Sequence, residues 1–121
     1  FNDYMSRVWD LFDNAPEDCE IYFLIIPHKS QVSHKYKSQA EQIGSVFTKE
    51  FKVASSSYPL FAKISTFFAS DHRVKILNTV DLFEDSEKIG STVYFNNDSH
   101  LNELGQQILG EFLLKKIKSN D

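Results

Sequence analysis

The sequence holds a single cysteine, Cys19, among its 121 residues. One thiol cannot close a disulfide within the chain, and no cluster of Cys and His sits at zinc spacing. Long apolar runs are missing as well. The longest, Ile21 to Pro27, falls far short of the ~18–20 residues a bilayer-spanning helix needs and suits a buried strand. There is no basic excess: the formal net charge is −4 and the pI about 5.5. That argues against a nucleic-acid groove, which neutralises phosphates with Lys and Arg. No Gly-rich phosphate loop follows a strand, so nucleotide binding is not expected. There is no internal repeat, low-complexity tract or linker. The chain opens on Phe1 without a signal-peptide pattern. The expectation is a processed form or a piece of a longer protein, so the missing signal says nothing about export.

What is present is ordinary globular material, 41% hydrophobic and 25% charged, with 11 Phe to build an aromatic core. Residues 1–121 are expected to form a single α/β domain or the C-terminal part of one.

Tyr4, Val8, Leu11 and Phe12 fall on one helical stripe, ended by Asn14-Ala15-Pro16. Glu20 to Pro27 reads as a strand buried on both faces, as in a parallel sheet. The polar residues His28 to Gln31 should form the loop after it, and ligands bind beyond such strand ends in open α/β sheets. Tyr36, Ala40, Ile43 and Phe47 give a second helix. A connection follows, with a short strand expected at Phe51 to Ala54. Phe61, Ile64 and Phe68 mark a third helix over Tyr58 to Ser70. Val74 to Leu77 reads as a second strand, Asp81 to Lys88 as a polar helical turn, and Ser91 to Phe95 as a third extended segment. The last helix spans Asn102 to Lys118, with Leu104, Ile108 and Phe112 as its stripe. Asn102 serves as N-cap, and Lys115, Lys116 and Lys118 sit at the end the dipole makes favourable for cations. Strands alternating with helices imply a parallel sheet covered on both faces.

The chemistry concentrates in Tyr94 to Leu113. An extended segment ends at Phe95, polar residues follow, and His100 stands just ahead of a helix. A general base needs that placement and an ordinary pKa near ~6.5. Asp98 lies two residues earlier, on the same side of an extended loop, within reach of the ring.

Tyr94, Phe95, His100, Leu101, Asn102 and Gly105 together resemble the closing block of SGNH/GDSL-like hydrolases and their O-acyltransferase relatives. The likeness covers the last quarter of the chain well and the rest loosely. It implies a three-layer α/β/α fold with a parallel sheet, of the SGNH or flavodoxin-like kind. It also implies acyl ester cleavage or transfer on carbohydrate or lipid, with His100 as base and Asp98 as its partner. No metal or organic cofactor is implied, and relatives point to an extracytoplasmic place of action. The commonest family pattern has its acid three residues before the His, which is Asn97 here. Alginate-acetylating relatives use the Asp-x-His spacing that Asp98-Ser99-His100 matches.

The family's serine turn is not visible. Gly44-Ser45 falls inside a helical stripe, Gly90-Ser91 precedes a strand, and Ser55, Ser56 and Ser57 lack a strand–turn–helix elbow. Three explanations stay open: a nucleophile upstream in a longer protein, which is favoured, one on another polypeptide, or an inactive domain. Phe1-Asn2-Asp3 resembles the family's Gly-x-Asn-Asp block, whose Asn donates to the oxyanion, but the glycine is missing.

Plainer readings stand beside these. His100 is otherwise a surface histidine capping the last helix, and Asp98 an Asx-turn residue. Asn102 is a cap before it is a ligand contact. His28 and Lys29 read better as a solvated loop than as cleft walls, and His34 and His72 as surface residues. Cys19 reads as packed or idle, and Phe61, Ile64 and Phe68 as core. In function, the esterase or acyltransferase stands against a non-catalytic α/β binding or scaffold module, and against a doubly wound domain unrelated to the family.

Overall fold

The computed structural model describes residues 1–55 and 58–119. Among them it shows six helices and a two-stranded parallel sheet, a small α/β arrangement. The chain forms two compact units. One holds Phe1–Ile25 and the described part of Ser56–Asn78, the other Ile26–Ser55 and the described part of Thr79–Asp121. Ser56 and Ser57, read above as serines without an elbow, lie outside the described residues.

The first unit contains α1 (Asn2–Asp13), β1 (Ile21–Ile25), α4 (Pro59–Phe67) and β2 (Val74–Asn78). The strands pair in parallel, Ile21 beside Val74 through Ile25 beside Asn78. The stripe that α1 buries is Met5, Val8, Trp9 and Phe12, one residue round from the expected one. Tyr4 and Leu11 stay exposed. Trp9 decides this rotation, because its ring stacks on Phe68 at 5.6 Å between centroids. Phe68 also meets Phe12 at 5.0 Å and Phe23 at 5.7 Å. Arg73 closes the end of α1, donating to the carbonyls of Phe12 and Ala15 while its guanidinium pairs with Asp71.

The second unit contains α2 (Lys29–Val32), α3 (His34–Gln42), α5 (Val80–Lys88) and α6 (Glu103–Lys118). His28–Gln31, expected as a loop, is a cap and a helical turn. The helix expected over Tyr36–Phe47 starts and stops earlier. Ser33 accepts from the Lys35 amide and so starts α3. Gly44, at φ +96°, ends it in a conformation that L residues resist. The polar turn at Asp81–Lys88 is a full helix, because Val80 and Phe83, three apart, are both buried. No strand forms at Phe51–Ala54, where Ala54 is left-handed (φ 55°), and Ser91–Phe95 contributes one bridge, Tyr94 to Leu101. Val32, Tyr36, Phe83, Val93, Tyr94 and Leu101 make the core of this unit.

Phe68 is 2% exposed and touches four aromatic rings of its unit, Trp9, Phe12, Phe23 and Phe67. Phe68→Ala is expected to cost ~3–5 kcal/mol of stability by chemical denaturation, the cavity adding to the lost transfer energy.

Candidate active site

Residues 95–100 form a closed loop. The Phe95 amide donates to the His100 carbonyl at 3.1 Å, and the Asn102 amide donates to the Val93 carbonyl at 3.0 Å. Asn102 is the N-cap of α6. Its Oδ1 accepts from the Gly105 amide at 2.9 Å, and its Nδ2 donates to the Thr92 carbonyl at 2.6 Å. Leu101 is buried in the core. Gly105 has no room for a side chain, since a Cβ there would lie 2.2 Å from the Val93 carbonyl oxygen. The Leu-Asn-x-x-Gly part of the motif is therefore a seat for the loop, and His100 stands exposed at its end.

Asp98 and His100 meet. The His100 amide donates to Asp98 Oδ1 at 2.9 Å, and His100 Nδ1 donates to the same oxygen. That contact places the ring proton on Nδ1 and leaves Nε2 with its lone pair. The amide first and the imidazole second hold the Asp98 carboxyl below the usual carboxylate range. The pairing is in place above the ordinary Asp value of ~3.9 and is lost as pH falls through the lower folded value. The His100 side chain is 85% exposed and that of Asp98 53%.

Both line a cavity of about 860 Å³ in this unit, with Asn97 and Ser99 beside them. His28 and Lys29, read from the sequence as a solvated loop, line it too, and so does Ser45. Ser45 is not inside a helix. Its amide caps α3 by donating to the Ala40 carbonyl at 2.9 Å, after the turn at Gly44. Gly90 likewise ends α5, at φ +88°, rather than leading into a strand. The alternation of polar side chains gives no warning that His28 and Lys29 reach a loop some seventy residues on.

A Ser–His contact lies alongside, Ser99 Oγ to His28 Nε2 at 2.8 Å. His28 Nδ1 accepts from the Ser30 amide at 3.3 Å, so the neutral ring carries its proton on Nε2. His28 thus donates to Ser99 and is not a base for it. Asn2 and Asp3, the oxyanion candidates, begin α1 and line a cavity of about 730 Å³ in the first unit, with Lys63 and Phe67. Asn97 lines the 860 Å³ cavity without pairing with the His100 ring. His34 and His72 are exposed, and Cys19 is half-buried and free. Among the described residues, no three or more His, Cys, Asp or Glu gather as a metal site, and no helix is long and apolar enough to cross a membrane.

Comparison with protein families, curated proteins and solved structures finds no match to this chain.

The Asp98 carboxyl should titrate below ~3.9 by carbon-detected NMR, and in His100→Ala it should stay depressed, because the amide remains. A full return to the ordinary value would assign the effect to the imidazole. Gly105→Ala should cost at least ~2 kcal/mol by forcing α6 off Val93. Gly110→Ala, in open space on the same helix, should gain ~0.5–1 kcal/mol.

Proposed function

We propose that residues 95–100 carry the His–Asp half of an acyl-transfer site in an SGNH-like domain. The three-layer α/β/α architecture and the serine nucleophile would then be completed by residues outside these 121. The reading makes the protein an esterase or O-acyltransferase for an acylated carbohydrate or lipid. The observation that carries it is the His100 ring, whose Nδ1 is taken up by Asp98 while the rest stands open on a cavity wall.

In this reading Nε2 accepts the serine proton as Oγ bonds to the acyl carbon, and the imidazolium is steadied by Asp98. Backbone N–H groups hold the oxyanion. The imidazolium then returns its proton to the leaving alkoxide. Water resolves the acyl-enzyme in hydrolysis, and an acceptor hydroxyl resolves it in transfer, with His100 taking the proton again. A second reading, a binding or scaffold module that has lost this chemistry, is favoured by one observation. Among the described residues no hydroxyl is hydrogen-bonded to the His100 ring.

The test is p-nitrophenyl acetate hydrolysis by the longest natural chain. His100→Ala should lower kcat at least ~100-fold. Asp98→Ala should lower it ~10-fold or more with KM little changed. Unchanged turnover in His100→Ala removes it from the chemistry and leaves the binding module.

A further inference from the structure

Residues 96–100 are all exposed, so packing does not hold the tip of this loop. Among the described residues, the hydrogen bonds that reach it from outside come from two neighbours in sequence. Lys29 Nζ donates to the Asn96 carbonyl at 2.9 Å and to the Phe95 carbonyl at 3.4 Å. His28 Nε2 meets Ser99 Oγ at 2.8 Å. One grips the entry to the loop and the other the residue before His100.

Both are themselves anchored. The His28 amide donates to Gln31 Oε1 at 2.8 Å, and its Nδ1 accepts from the Ser30 amide, a reciprocal cap that fixes the ring. The Gln31 carbonyl accepts from Ala54 at 2.7 Å. The Lys29 ammonium lies 5.5 Å from the centre of the Tyr36 ring, which is fully buried.

We propose that His28 and Lys29 are the positioning residues of the Asp98–His100 pair, a two-point clamp holding its loop against the cap of α2. The proposal rests on the acyl-transfer reading for its catalytic meaning. Lys29 acts through main-chain carbonyls, where a cation with three donors suits two acceptors. His28 acts as an Nε2–H donor. Neither touches the reacting atoms.

Amide exchange and kinetics, measured on the longest natural chain, separate the two readings. In Lys29→Met, exchange at the Phe95 and His100 amides should quicken ~10-fold or more while core amides of α6 are unchanged. His28→Ala, a second variant should Lys29→Met not fold, should do the same at His100. With p-nitrophenyl acetate, Lys29→Met should lower kcat ~10-fold or more at unchanged KM, and Lys29→Arg should recover most of it. Unaltered exchange in both variants overturns the clamp, whatever the activity. Quickened exchange with kcat unchanged in an active protein overturns its positioning role. Quickened exchange in a protein inactive from the start keeps the clamp and overturns the acyl-transfer reading instead.

Discussion

The first turn of α6 passes so close to the Val93 carbonyl that only glycine fits at position 105. The rest of the second unit is arranged around that approach. Once Gly105 is seated, Asn102 is left facing the segment before the loop. Its amide, Oδ1 and Nδ2 then bind Val93, Gly105 and Thr92 together. Leu101 enters the core and bridges to Tyr94, and the phenol of Tyr94 donates to the Pro27 carbonyl at 2.8 Å. Six residues between two such fixed points have little freedom left, and they carry the pair.

Burial pushes the Tyr94 phenol well above its ordinary range, and burial with the Glu87 carboxylate does the same for Tyr36. Both therefore stay neutral donors across the pH range in which an imidazole works. The Tyr36 hydroxyl donates a hydrogen bond to Glu87 Oε1 at 2.7 Å, and the same carboxylate oxygen accepts from the Val93 amide at 3.0 Å. The phenols of Tyr36 and Tyr94 and the Glu87 carboxylate are thus all paired, which is what buried polar groups require.

Much of this is readable from residue order. H-L-N-x-x-G ahead of an amphipathic run says loop, cap and helix, and those elements lie where the pattern puts them. The parallel pairing of Ile21–Ile25 with Val74–Asn78 follows from two largely apolar strands with helices between them. Most of what stayed hidden shares one cause: the partner is distant in sequence. The rotation of α1 depends on Phe68, and the roles of His28 and Lys29 on residues 95–99. The α5 helix was hidden for a local reason, since Val80 and Phe83 are too few apolar residues to read as a stripe.

On the acyl-transfer reading, positions 97 and 98 compete for the role of acid, and it is Asp98 that meets the His100 ring. Asp98 Oδ1 accepts from the amide and the ring of one residue, His100, so the contact that turns the carboxylate also turns the imidazole. Solvent screens the charge of a pair this exposed, and its Coulombic worth is small. Orientation is then the larger contribution of Asp98. A neutral amide at 97 supplies no such double contact, whatever hydrogen bonds it makes. Exposure sets a further condition: an imidazole in open water gains little from its partner until something covers it. On the acyl-transfer reading, the surface that brings the serine must also exclude water, because developing charge is stabilised far more by fixed dipoles in a dry site than in a wet one.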